Sequence, residues 1–333
     1  MKPLVQLLLA SLLLTSCSKT EKGDSLFDPD NTKKSFPAST TGSNSILDYY
    51  NFSSAPNNGS FALYGFTTGN SVTTPETANT NTDTLTSLTP LTANGAFYDQ
   101  KGDVRQGGTV LFAGLTLQSG LSGGNTYFVD TVASRTGIGS AMSASGYIDY
   151  SVFHGKKIPV TLNPDYGVAN SPTRGATDSL YIPLTIRFNK TATPFYTDSM
   201  GSSILAVYSK NYNTPIQWNA DPQNTNGVVI IIEYDPEFKL NTDYWAPQTP
   251  PEKRHLYAAI RVPDNGQYTF TPEDLQGLPT NCMAKLFIGR AVHKQLNDKS
   301  GTGTYAVYAA TTLVTLCRIS QCGASAPTPC TVQ

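Results

Sequence analysis

Charge is what this sequence has least of. Lys, Arg, Asp and Glu together make only 14% of the chain, the formal net charge is −1, and no basic block stands out. A nucleic-acid partner is thereby disfavoured, because phosphate binding needs a clustered stripe of Lys and Arg. Glutamate is scarce, with six residues in the chain, while Thr, Ser, Asn, Gly and Tyr are abundant. That balance works against helices and favours short strands joined by turns. No segment after residue 14 is apolar for long enough to span a bilayer; the longest candidate, Tyr305 to Leu316, carries five hydroxyl residues and reads as a strand.

Catalytic signatures are missing too. The sequence has no G-x-S-x-G, no H-E-x-x-H, no phosphate loop and no dinucleotide fingerprint. Its three histidines, His154, His255 and His293, are scattered singly, and each is expected at the surface or at a strand end. No catalytic residue, cofactor or metal site is assigned, and a non-enzyme is expected.

What is present begins at the amino end. Lys2 is followed by an apolar run from Leu4 to Leu14, which has the length of a signal-peptide core. It ends in Leu14-Thr15-Ser16-Cys17, which resembles the bacterial lipobox. The resemblance implies a signal peptide over residues 1–16, diacylglycerol on the Cys17 thiol, cleavage before Cys17 and acylation of the new amine. Several acyl chains on one residue anchor stably, since each buried methylene adds roughly 0.8 kcal/mol. In related lipoproteins a serine after the cysteine, here Ser18, leans toward the outer membrane. The stretch Lys19-Thr20-Glu21-Lys22 loosely resembles the export signals of Bacteroidota surface lipoproteins.

Residues 17–45 are polar and read as a lipidated tether. Strand-length segments then recur to residue 165, with Thr67 to Asn94 as a long threonine-rich loop, so residues 46–165 are expected to form an all-β domain. Residues 166–178 fall in a Pro/Gly/Asn-rich break and are the expected linker. From 179 to 333 the expectation is a second β domain. In it Leu180, Ile182, Leu184, Ile186 and Phe188 alternate with Tyr181, Pro183, Thr185 and Arg187, the period of an edge strand. Six more strands are expected at 203–209, 228–234, 256–262, 267–270, 282–289 and 305–317. Asp264-Asn265-Gly266 supplies a turn, and Thr271-Pro272-Glu273-Asp274 starts a helical turn. Seven strands with such a turn between the fifth and sixth resemble an immunoglobulin-like sandwich over roughly Ser179 to Arg318, with Trp218 as a filler between sheets. The fold class is therefore all-β, two sandwich-like domains after a signal peptide and tether.

Four cysteines remain after Cys17. A hairpin around the polar loop Asn297 to Gly303 sets Cys282 opposite Cys317 and predicts a disulfide between them; Cys322 and Cys330 would close a small loop at the carboxyl end. A zinc site fits the spacings poorly.

Three constellations bear on ligands. Asp221-Pro222-Gln223-Asn224-Thr225-Asn226-Gly227 resembles a calcium loop but has Pro222 where a carboxylate is needed, so an Asn-Gly turn is expected. Glu233, Asp235 and Glu237 alternate at a strand end with Asp243 nearby; they could hold calcium or act as an acid–base pair, but a solvated strand end is expected. Tyr244-Trp245, in a proline-rich loop, is read either as loop aromatics folded onto their own domain or as a sugar-stacking platform. The leading expectation is a non-catalytic, membrane-tethered binding or adhesion protein with glycan as ligand class and Tyr244 and Trp245 as the ligand residues. An assembly subunit of an outer-membrane complex, recruiting an envelope protein through strand edges, is second. A secreted hydrolase is third.

Overall fold

The computed structural model describes residues 33–50, 52, 56, 58–68, 92–98, 101–105, 108–119, 127–129, 153–164, 171–187, 195–197, 204–237 and 252–321. The fold is all-β and sandwich-like, as its composition requires.

One body is formed by the carboxyl-terminal strands. It is built from β11 (Ile204–Ser209), β12 (Thr214–Gln217), β13 (Val228–Tyr234), β14 (Leu256–Val262), β15 (Gln267–Phe270), β16 (Cys282–Asn297) and β17 (Thr304–Ser320). β14, β13, β16 and β17 pair antiparallel in that order, and β11 adds to β17 in parallel. β12 and β15 form the facing pair. A single helical turn, α1 (Pro272–Leu275), joins β15 to β16. The Asp274 carboxylate accepts from the Thr271 amide and hydroxyl and so fixes the entry to this turn. The five-stranded run with its facing pair makes this body sandwich-like. Its core joins Ile216, Trp218 and Phe270 to Ile230, Ile232, Leu286, Ile288, Leu313 and Ile319.

β13 sits at the centre of this body because of its sequence. Val228-Val-Ile-Ile-Ile232 is a β-branched run, and such runs suit a strand covered on both faces. Val228, Ile230 and Ile232 enter the sandwich core. Val229 and Ile231 point to the other side and meet Ile46, Tyr49 and Tyr50, a strap that crosses the outer face of the sheet. Gly289 lets the strap down: a Cβ there would lie 2.5 Å from Ile46. The Tyr50 hydroxyl donates to the Gly227 carbonyl at 2.8 Å.

The same β16–β17 hairpin also builds the amino-terminal body. One edge of β17 is taken along its first part by β2 (Gly59–Thr68), in parallel from Tyr305 to Val314, and along its end by β11. β3 (Thr92–Tyr98) and β4 (Val104–Arg105) extend the sheet beyond β2. A second sheet faces it, in the order β7 (Tyr127–Val129), β6 (Leu115–Ser119), β5 (Thr109–Phe112), β8 (Lys156–Asn163) and β9 (Ala176–Ile182). Leu296, Tyr305, Val307 and Ala309 from the hairpin join Phe61, Phe97, Val160, Leu162 and Leu180 in its core. One hairpin of 16- and 17-residue strands thus feeds both cores.

Several expectations need correction. The strands do not divide at residues 166–178. β9 starts at Ala176 and pairs with β8, and β17 pairs with β2. Over residues 173–175 the chain is held by hydrogen bonds: Lys299 and Ser300 amides donate to the Gly175 and Thr173 carbonyls, and the Tyr305 hydroxyl donates to the Arg174 carbonyl. The strand expected over residues 180–188 ends at Ile182 and belongs to the amino-terminal body, at the edge of its sheet. Its place among the seven sandwich strands is taken by β12. Within the expected tether, Lys34–Ser39 forms β1, which pairs with the outer edge of β14. Phe36 packs edge-on against Tyr49, and Lys33 pairs with Asp274. β10 (Phe195–Thr197) pairs with β11.

The Cys282–Cys317 disulfide is also corrected. The hairpin register sets Cys282 opposite Ile319 and Cys317 opposite Ala284. The cysteines are diagonal neighbours, about 7–8 Å apart in such a ladder and beyond the reach of a disulfide. Both thiols are free and buried. Burial pushes the Cys282 thiol up to about 12. Cys17, Cys322 and Cys330 lie outside the described residues.

Candidate functional site

Three strands meet at the polar end of the outer sheet face. Register sets Glu233 of β13 between Tyr257 of β14 and Lys285 of β16, directly across from both. The neighbouring inner row is apolar, with Ile231 flanked by Ala259 and Phe287. On the other side the chain turns out of β13 past Asp235 and re-enters β14 past His255.

Glu233 is only 3% exposed, which corrects the expectation of a solvated strand end. Its Oε1 accepts a hydrogen bond from His255 Nε2 at 2.8 Å. Its Oε2 is buried and has no hydrogen-bond partner. The Lys285 ammonium stands 3.8 Å from that oxygen and 3.9 Å from Asp235 Oδ2, close enough for attraction and too far for a hydrogen bond. His255 is held twice: by Glu233, and by a stack on the Tyr257 ring with centroids 4.8 Å apart and planes 18° apart. A carboxylate only accepts, so Nε2 carries the proton in this pair, and in the neutral ring Nδ1 is the acceptor. Burial, followed by the charges of Glu233 and Asp235, raises the Tyr257 pKa, so its phenol stays protonated. Glu237 is exposed and donates its amide to Asp235 at 2.9 Å.

Tyr244, Trp245 and Asp243 lie outside the described residues. The chain leaves for that segment at Glu237 and returns at Glu252. The strand ends that flank it are those that carry Glu233 and His255. At the return, the Glu252 carboxylate is pulled down to about 2 by hydrogen bonds from Arg254.

The Asp221 loop is a structural turn. The Asp221 carboxylate accepts from the Tyr181 hydroxyl and from the Leu184 and Gln223 amides, and Gly227 takes a positive φ of 76° before β13. Among the described residues, no group of three or more His, Cys, Asp or Glu side chains could hold a metal ion. His154 is buried, with Nδ1 2.5 Å from the Pro183 carbonyl oxygen, instead of standing at the surface. His293 sits in an aromatic group with Phe52 and Tyr308.

A second buried ionic group lies at the junction of the two bodies. Arg290 is fully buried, and its Nε donates to Asp264 at 2.5 Å. Its other nitrogens reach Asp264 again and the carbonyls of Leu184, Thr185 and Asn219. Asp264 also accepts from Trp218 Nε1 and Asn224 Nδ2 at 2.9 Å each. Both charges are matched, and the connector from β9 is pinned by its own backbone.

Sequence reasoning singled out Glu233 and missed its partners. His255 and Tyr257 alternate on either side of Leu256, and that period was the available signal. Lys285 becomes a neighbour only through register. No family model matches the chain, and neither the curated proteins nor the solved structures contain a match.

Proposed function

We propose that this chain is a non-catalytic envelope lipoprotein, held at the outer membrane by lipid on Cys17, whose body binds glycan. The anchor rests on Leu14-Thr15-Ser16-Cys17 directly after an apolar core. Among the described residues no helix is long and apolar enough to cross a membrane, which is compatible with attachment by acyl chains.

One observation carries the binding reading. The Tyr244-Trp245 segment is flanked in the chain by strand ends that hold a buried carboxylate with an oxygen to spare, an oriented imidazole and a stacked tyrosine. Sugar recognition uses aromatic faces for the ring C–H surface and polar groups for the hydroxyls. Two measurements test the reading. Cys17→Ser is expected to move the protein from the membrane pellet to the soluble fraction. Glycan arrays and affinity gels are expected to show binding that Trp245→Ala abolishes. Absence of glycan binding, or binding indifferent to Trp245→Ala, would remove Tyr244 and Trp245 as the ligand residues.

A further inference from the structure

We infer that Glu233, His255, Tyr257 and Lys285 form the hydroxyl-binding part of a saccharide site that takes a neutral sugar through a vicinal diol. The inference rests on the glycan reading above and narrows it to a ligand class and to residues other than Tyr244 and Trp245.

The argument starts from the unsatisfied oxygen. A buried carboxylate oxygen without a hydrogen bond is costly and attracts any donor that can reach it. Glu233 Oε2 is such an atom, in a side chain 4% exposed. Lys285 is the movable group beside it: its ammonium is 3.8 Å away, on a side chain 29% exposed, and its stem is flexible. A ligand hydroxyl that shifts this ammonium by a small step gains Oε2 as acceptor and the ammonium as donor. That combination fits a sugar hydroxyl, which both donates and accepts. In the neutral imidazole His255 Nδ1 is a second acceptor for the neighbouring hydroxyl of a diol, Nε2–H being spent on Glu233. Tyr257 stacks on His255 and holds the imidazole in place beside these groups.

The same atoms decide what is refused. Glu233 and Asp235 share one ammonium, Lys285. An acidic sugar would bring a third carboxylate to a place where two already share a single cation, and that carboxylate carries no proton for Oε2.

The test uses the full mature chain with Cys17→Ser, titrated calorimetrically with cellohexaose, mannohexaose and maltohexaose as neutral probes. Hexagalacturonate is the anionic probe and a chitosan hexamer the cationic one. The expected result is binding of at least one neutral hexamer, none of hexagalacturonate, and a loss of roughly tenfold or more in Glu233→Gln and in His255→Ala. Lys285→Met, at a partly exposed position, gives a third reading that does not depend on a buried substitution being tolerated. Neutral binding that persists within about twofold in all three variants overturns the inference; if Trp245→Ala abolishes that binding, the glycan reading stands without it. Tighter binding of the anionic or the cationic hexamer overturns the neutral assignment. No binding of any hexamer by the parent protein sinks both readings together.

Discussion

The two buried ionic groups, Arg290–Asp264 and His255–Glu233, are built to opposite rules. At Arg290 both partners are out of solvent, and the guanidinium and carboxylate are matched by neighbours on every side. At Glu233 one oxygen is spent on a half-exposed histidine and the other on nothing within hydrogen-bond distance. A complete network specifies a structure, whereas an incomplete one is a cost that the fold carries for some other purpose. The difference separates a group that holds the fold from one held by it.

The largest effect that sharpens this contrast is at Arg290. Arg290→Met leaves Asp264 buried without its cation and frees the carbonyls of Leu184, Thr185 and Asn219. A loss of about 3–5 kcal/mol is expected from urea unfolding. A loss below about 1 kcal/mol would mean that the network is not what joins the connector to the sandwich. The strap comes next. Gly289→Ala places a methyl group within 2.5 Å of Ile46, and overpacking of that kind costs about 1–3 kcal/mol. Faster proteolysis between residues 40 and 52 is expected with it, and unchanged cleavage would show that the strap adjusts freely.

A smaller, pH-dependent effect belongs to β1. Burial raises the pKa of Asp274, but hydrogen bonds from Lys33, Thr271 and Tyr268 outweigh it and leave the carboxyl below its usual value. A depressed folded pKa gives stability that is fully present above the unfolded value, about 3.9, and is lost as the pH falls through the folded one. Urea midpoints of the parent and of Asp274→Asn are therefore expected to differ by a constant amount above about pH 5 and to converge in acid. Curves that stay parallel down to pH 2 would contradict the role given to Asp274.

How much of this was legible depended on where each segment finds its hydrogen bonds. β13 was plain, because five consecutive β-branched residues leave little alternative. Leu180 to Phe188 has an equally clean period, yet the strand stops at Ile182. Beyond it the backbone bonds to side chains: Leu184 and Arg187 amides donate to Asp221 and Asn219, and the Leu184 and Thr185 carbonyls accept from Arg290. Alternation reports burial, not ladder pairing. β12 was missed because Thr-Pro-Ile-Gln offers only Ile216 to the core. β1 was read as tether because its pairing depends on β14, a partner more than two hundred residues away.

The cysteine register failed for a local reason. The turn runs from Asp298 to Gly303, closed by Ser300 and Thr302 donating to the Asp298 carboxylate. It is centred one residue later than a Cys282–Cys317 pairing requires, which moves every cross-strand partner by two. In the candidate site, Glu233 was recognised by type and position. Its burial was not, since the outer face of the sheet gains its cover from the strap, whose docking no local pattern announces.

The central claim is that the Glu233 carboxylate serves a ligand and not the fold. The direct test is the melting midpoint of Glu233→Gln without sugar, beside that of Arg290→Met. The amide keeps an oxygen for His255 and relieves a buried, half-satisfied charge, so the midpoint is expected to stay within about 2–4 °C of the parent while Arg290→Met falls several times further. Equal falls in the two variants would make Glu233 another structural ion pair and leave the sheet end without a ligand to explain it.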